Sequence, residues 1–528
     1  MKIFTASVIL LCLLFPGAAR AVPTADPSPA AVERSVPPRP TGPAPDLKLP
    51  NLRVYRLDNG IPVYTAVMPG QLNESICIVF PQAGAKNDPA GKYGLSYYVN
   101  NLLARGTERC GYAELEKKSL TLGAVFSPLG VSWGCIDWDV GGVAVNVVRF
   151  DNLPEIVSLF ADTVRHPAFS SQELERLKTA RFAQKARWRT SSLFVGETAF
   201  NRFVFGEGSR YGTALRADTS AQEATIDRAD IMAFYKQNCS PRQAFFVCCG
   251  PLTPEELAEQ LNKHFGSWQD CTGAESGEGA IRSDVCRKAR ADAVNNQEPR
   301  YIPEMASGAG RPMDGRIVIV DRSQEKTARV WVGCPGISVN DPDLLAVEAM
   351  NTVLGNCGVI DRLNANLRES KGYTYGVRSE FEKHLDRGAF KVTGYVQTDK
   401  AIPAVQEIFK EMALMRRPLP EAELRKFLTD MAYGFPKKFD AAFSYRSLLT
   451  EILLGYYPKD YADTYVSEVM KLTPADVQKA AERTLEPDKM IVVIVGDAKA
   501  LEPQLREAGW RAQVVTLEDV MGPEYKTE

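Results

Sequence analysis

Hydrophobic spacing orders the chain from about residue 50 onward. LRVYRL and IPVYTAV alternate apolar and polar positions on either side of Asp58-Asn59-Gly60, which predicts a β-hairpin. ESICIVF predicts a third strand. Between residues 91 and 106, Leu95, Val99, Leu102 and Leu103 fall at helical spacing. Tyr97, Asn100 and Asn101 lie at i, i+3 and i+4 of the same stretch and share a second helical face. Further helices are predicted over Tyr112–Leu122, 153–164 and 171–189, with strands within 124–148. AFFVCCG is an unbroken apolar run and predicts a buried strand ending at Gly250. A helix over Pro254–Phe265 follows, with Thr253 as its N-cap.

The plan then repeats. DNLPEIVSLF from Asp151 is matched by DKAIPAVQEIF from Asp399, aligning Pro154 with Pro403 and Phe160 with Phe409; Leu174 meets Leu424 after a one-residue slip. IDRADIMAFYKQNCSPRQAFFVCCG is matched by LTPADVQKAAERTLEPDKMIVVIVG. There Asp230, Pro241 and Gly250 align with Asp476, Pro487 and Gly496 at one offset. A duplication of this period means two copies of one domain, here 51–268 and 313–528. The Gly-, Ser- and charge-rich stretch 269–312 is the linker. Hairpins mixed with helices, rather than strict strand–helix alternation, predict an α+β fold with helices packed on largely antiparallel sheets.

Composition narrows the setting. The chain has 528 residues and a net charge of −2, which gives no ground to expect nucleic acid or an anionic membrane as partner. Residues 1–21 combine Lys2, an apolar run and Ala19-Arg20-Ala21, the pattern of a signal peptide cleaved before Val22. Leu11 before Cys12 argues against a lipoprotein signal. Residues 22–50, rich in Pro, Ala and Ser, predict an extended tether, and no later segment predicts a membrane span. Cys248 and Cys249 read as small hydrophobes in a buried strand. Cys271 and Cys286 can pair in an oxidising compartment. His166, His264 and His384 are the only histidines, share no ligand spacing, and read as structural or surface residues.

GKYGLSYYVNNLLARGT resembles the inverted zinc motif, His-x-x-Glu-His, of the insulinase/pitrilysin metallopeptidases. The frame is kept in Gly91, Lys92, Gly94, Leu95, Leu103, Gly106 and Thr107. The chemistry is not. Tyr97 and Asn101 stand where the resemblance places zinc-binding histidines, and Asn100 where it places the glutamate base. A phenol must lose a proton of pKa about 10 to bind zinc well, an amide is a weak donor beside imidazole or carboxylate, and Asn100 cannot take a proton from water. The family's third ligand, a glutamate, maps to Lys178, or as far on as Phe182 if the alignment slides. No carboxylate lies between Glu175 and Phe182, and Lys178 and Arg181 are cations. The resemblance therefore implies no metal in this chain. Tyr97, Asn100 and Asn101 then read as ordinary polar residues of a partly buried helix.

NTVLGNCGVIDRLNANLRESKGYTYGVRSEF resembles the family's second signature. Arg368 and Tyr375 have the spacing of its substrate-binding Arg/Tyr pair; Tyr373 is a neighbour out of register. The plainer alternatives are a helix cation paired with Glu369 or Asp361, and a strand aromatic facing the core. The resemblance implies two similar domains closing as a clam shell around a peptide chamber. In some bacterial members one chain carries the zinc motif and another the Arg/Tyr pair. The expectation is therefore a non-catalytic subunit of a periplasmic heterodimeric zinc endopeptidase. It would hold peptide substrate with Arg368 and Tyr375 while a homologous partner with an intact His-x-x-Glu-His carries the zinc. The alternative is a proteolytically inactive scaffold or peptide-binding protein of the same fold.

Overall fold

The structure is a computed structural model that describes residues 50–523 apart from 130, 133–134, 137–139, 207–218, 270–315, 324 and 386. The expected signal peptide, the tether up to residue 49, the linker from residue 270 and the Cys271–Cys286 pair lie outside the described residues.

The first half carries β1 (Leu52–Arg56), β2 (Pro62–Val67), β3 (Glu74–Phe80), β4 (Ala124–Leu129), the short pair β5 (Val131–Ser132) and β6 (Cys135–Ile136), β7 (Gly141–Val147) and β8 (Phe245–Gly250). Its helices are α1 (Leu95–Leu103), α2 (Tyr112–Leu122), α3 (Leu153–Arg165), α4 (Ser171–Thr190), α5 (Ser192–Phe205), α6 (Thr219–Ala224), α7 (Arg228–Asn238) and α8 (Pro254–Phe265). The second half carries β9 (Ile317–Asp321), β10 (Thr327–Pro335), β11 (Thr374–Phe381), β12 (Ala389–Gln397), β13 (Ile491–Gly496) and β14 (Gln513–Val515). Among its helices are α9 (Leu344–Gly355), α10 (Ala401–Met415), α11 (Glu421–Gly434), α12 (Ala442–Leu454), α13 (Tyr461–Lys471), α14 (Pro474–Thr484), α15 (Ala498–Ala508) and α16 (Leu517–Met521). None of the helices among the described residues is long and apolar enough to cross a membrane.

The duplication is visible in the sheets. One six-stranded sheet runs β1-β2-β8-β3-β7-β4 and the other β14-β9-β13-β10-β12-β11. In both, the first and last long strands pair in parallel (β2 with β8, β9 with β13) and the inner strands pair antiparallel. The capping boxes repeat too: Asp227 with Asp230 opens α7 and Thr473 with Asp476 opens α14. The copies differ at one edge, where β1 folds back from β2 as a hairpin and β14 arrives from the C-terminus to pair in parallel with β9.

Both sheets are covered on two faces, which explains the apolar runs ICIVF of β3 and IVVIV of β13. On one face each half uses its own helices. α1, α3 and α8 cover the first sheet around Phe80, Phe160, Phe246 and Phe265; α9 and α10 cover the second. The other face is covered by exchange. α5 packs on β10 and β13 of the second sheet, and its counterpart α12 packs on β3 and β8 of the first. Gly196 of α5 lies against Trp331, where a Cβ would come within 2.0 Å of the indole ring. Next to it Glu197 accepts the Trp331 indole N–H at 3.0 Å and pairs with Lys391, which also reaches Glu382 at 2.6 Å. Burial works against the Lys391 ammonium, but the two carboxylates outweigh it and hold its pKa above the usual lysine range.

One buried acid stands apart. Glu74 opens β3 fully buried, and its Oε2 accepts the Leu252 N–H at 3.1 Å, while Oε1 has no hydrogen-bond partner. Burial pushes its pKa up to about 8, against the single backbone hydrogen bond that lowers it.

Two outcomes follow from this packing. Gly196→Ala should lower the thermal midpoint by several degrees, the effect of about 1–3 kcal/mol of overpacking. Gly434→Ala, where a Cβ meets nothing within 4 Å, should not; equal melts for the two variants would remove the seam as a constraint. From pH about 4.5 to 8 the folded chain keeps a proton on Glu74 that the unfolded chain has released, so stability contributed by this group is lost as pH rises through that window. Melts of Glu74→Gln should therefore gain on wild type steadily from about pH 5 to 8.5; parallel curves would contradict the burial argument.

Candidate functional site

The motif helix is shorter than its pattern. Gly91 and Gly94 take φ of 79° and 91°, left-handed values that favour glycine, so the turn occupies residues 91–94 and α1 starts at Leu95. The buried Asp88 carboxylate fixes that start by accepting the N–H groups of Gly94 and Ser96, each at 2.8 Å. Asn100 is buried and its amide is spent on the backbone. Nδ2 donates to Ala83 and Ser96 carbonyls at 2.9 Å, and Oδ1 accepts the Gly142 N–H at 2.9 Å. It therefore ties α1 to β7. Asn101 Nδ2 returns to the Tyr97 carbonyl at 2.8 Å.

Opposite this helix, α4 presents cations. Of the two candidates, Arg181 faces the motif: its guanidinium lies 4.5 Å from the Tyr97 ring centre and 4.9 Å from that of Trp188. Lys178 points elsewhere, to Glu175 at 2.9 Å and the Ala224 carbonyl at 3.1 Å. Lys185, one turn beyond Arg181, pairs with Glu223 of α6, which also accepts the Tyr98 hydroxyl at 2.8 Å and lies 3.9 Å from Arg181. Arg181, Lys185 and Glu223 are nearly inaccessible to solvent. Burial and the Glu223 carboxylate push the Tyr98 phenol well above its ordinary range. These groups do not fit zinc. The amides are committed, the phenol face is covered by a guanidinium, and a dication would enter beside two buried cations. Among the described residues no three His, Cys, Asp or Glu side chains gather as a metal site; His166, His264 and His384 sit on separate elements.

The second signature forms a site of a different kind. The helical turn Arg362–Asn364 widens into a π-helical stretch, Ala365–Ser370, that carries Arg368; such stretches recur at functional sites. Tyr375 sits at a register shift of β11, between Thr374, opposite Val396, and Gly376, opposite Tyr395. The bulge turns the side chain outward: Tyr375 is 87% exposed, not a core-side aromatic. The Arg368 guanidinium lies 5.0 Å from the Tyr375 ring centre and 3.3 Å from Glu369. The Glu369 pairing foreseen as the plain alternative is thus present, but at a half-exposed pair it is weak. Asn364 accepts the Val377 N–H at 3.1 Å and donates to its carbonyl at 2.8 Å, which closes the outer edge of β11 below the bulge. Tyr373 lies against Lys371, its ring centre 5.7 Å from the ammonium.

A family model described as "Peptidase M16 inactive domain" matches residues 225–429, the stretch that holds the π turn and the bulge. By this match the chain is similar to the M16, or insulinase/pitrilysin, peptidases. Helicobacter pylori "Zinc protease PqqE" is 20% identical over 80% of this chain and 90% of its own length. The "Mitochondrial-processing peptidase subunit alpha" of Caenorhabditis elegans is 19% identical over 86% of each. The crystal structure of the peptidase M16 inactive domain from Pseudomonas fluorescens superposes with a TM-score of 0.68 at 18% identity, covering 85% of this chain and 98% of that one. The fold of that structure is thus kept around a first signature in which Arg181 stacks on Tyr97.

Restoring the motif alone should not restore the metal. A Tyr97→His, Asn100→Glu, Asn101→His variant should take up far less than one zinc per chain, because Arg181 remains. It should also melt below wild type, because the Gly142 N–H loses its buried acceptor geometry, a cost of about 1–3 kcal/mol. Metal analysis and thermal melts of the purified variant check both; tight stoichiometric zinc would show that Arg181 does not hold the ligand position.

Proposed function

We propose that the chain is the non-catalytic, Arg/Tyr-bearing subunit of a periplasmic heterodimeric zinc endopeptidase. The observation that carries this reading is the pairing of an exposed Tyr375 on a bulge with Arg368 on a π turn, in a chain whose first signature carries Tyr97, Asn100 and Asn101 with Arg181 stacked on Tyr97. The partner is a homologous chain with an intact His-x-x-Glu-His, and it carries the zinc. Relatives support such an arrangement: one is a zinc protease and another the alpha subunit of a processing peptidase. A guanidinium and a phenol side by side bind a peptide carbonyl and stabilise the oxyanion that forms from it. The exported location rests on residues 1–21.

Arg368→Ala and Tyr375→Phe should leave folding and partner binding nearly unchanged, since both side chains lie at the surface. Each should lower turnover of the co-expressed complex by on the order of ten- to a thousandfold, the range for losing one oxyanion donor. The double variant should lose less than the product, because both groups hold the same bond. Peptide cleavage beside thermal melts checks this, and N-terminal sequencing of the same preparation should begin at Val22. Wild-type turnover in a well-folded double variant would leave the inactive scaffold as the reading.

A further inference from the structure

The Arg368–Tyr375 stack has a neighbour on the second sheet. It lies across Gly376: the Arg329 guanidinium of β10 is 4.1 Å from the ring centre of Tyr395 on β12. Register places the groups. Arg329 is opposite Tyr395, and Tyr395 is opposite Gly376; in the next row of the same face, Trp331, Thr393 and Arg378 align. This is the face on which α5 lies: it packs over β10 and β13 and reaches β12 at Lys391 through Glu197, while the strip at Tyr395, Gly376 and Arg378 is exposed. Tyr395 is 45% exposed, and Gly376 and Arg378 are exposed. A Cβ on Gly376 would meet only Asn364 Oδ1, at 4.0 Å, so the glycine leaves an open slot between the two stacks.

We propose that this strip binds a carboxylate side chain of an extended peptide, next to the backbone position that Arg368 and Tyr375 hold. The proposal rests on their reading as substrate-binding groups only for where the peptide lies. Charge complementarity carries it. Among the described residues no carboxylate lies within salt-bridge distance of Arg329 or Arg378. Glu380, further along β11, is opposite Lys391, away from the slot, and Glu369 belongs to Arg368. Arg329 Nε is buried without a hydrogen-bond partner. Stacking thus holds the guanidinium by its face and leaves in-plane Nη–H donors in the fork geometry that a carboxylate matches. Arg378 adds a second cation on the same face. Because Asn364 already closes the Val377 edge of β11, recognition there comes from side chains on the sheet face rather than from strand addition.

The test is binding to the purified chain alone. The probes are a dye-labelled ten-residue peptide of alternating valine and glutamate and its valine–glutamine counterpart, read by fluorescence anisotropy. The glutamate peptide should bind about tenfold tighter at low salt, with the advantage shrinking as salt rises. Arg329→Gln with Arg378→Glu should abolish or reverse the preference. Gly376→Val, which fills the slot at a site where the backbone accepts a side chain, should abolish it with both arginines intact. Equal binding of the two peptides, no binding of either, or a preference that survives the arginine changes would overturn the proposal. The ratio between two peptides does not depend on turnover, so it stands or falls separately from the role of Arg368 and Tyr375 at a partner's zinc.

Discussion

Everything in this fold depends on one constraint: each central sheet is apolar on both faces, and the helices following it in sequence cover only one. Leaving Val318, Val320, Val493 and Val495 bare beneath Trp331, or Cys77, Val79 and Val247 bare in the other half, would cost about 1.5–3 kcal/mol per large side chain. The chain solves this by sending α5 and α12 across to the opposite half. The two duplicated halves therefore share their cores. Each completes the other's core, and the polar cluster of Glu197, Trp331, Lys391 and Glu382 sets the register of one crossing. A buried pair of this kind adds little net stability but makes misalignment costly.

The same rigidity explains what became of the first signature. Where the resemblance places a metal, this chain holds polar groups that find partners of its own. Asn100 turned its amide to the backbone of β7 and the loop after β3, while Arg181 stacked on Tyr97 and Trp188. Glu223 gathered Lys185 and Tyr98. A site that would hold a dication through neutral and anionic ligands now holds cations of its own. The helix stays in place for packing reasons, with Leu95, Val99, Leu102 and Leu103 buried against the first sheet.

Much of this was legible in the sequence because its signal is local. The hairpin at Asp58-Asn59-Gly60, β3, α2, and α8 with its Thr253 cap appear where spacing and cap residues place them. The duplication, read from a few residues at one offset, reappears as matching strand orders and matching capping boxes. What escaped was non-local. Nothing in SLFVGETAFNRFVF says that its glycine faces a tryptophan of the other half. The parallel pairing of β2 with β8 joins strands far apart in the chain. Spacing gave Lys178 for the third ligand, but helix rotation turns Arg181 toward the motif. The motif helix itself begins with its apolar rhythm at Leu95 and not at Gly91, where the motif starts, because residues 91–94 form a turn with positive φ at Gly91 and Gly94.

Exposure separates the two signatures more sharply than their residues do. The amides of Asn100 and Asn101 in the first are spent on their own chain's backbone, which is how a protein treats groups that serve folding. In the second, Tyr375 keeps 87% of its surface in water on a strand whose neighbours Val377 and Ser379 are buried. A bulge and a π turn are irregularities that packing alone has no reason to supply. Here they put a phenol and a guanidinium in contact where no core needs them, beside a second arginine–tyrosine stack and an open glycine. Aromatic surface left exposed next to cationic donors is what the proposed interaction face rests on. Local backbone irregularity at that face, not fold stability, is what the second half of the chain adds to the family frame.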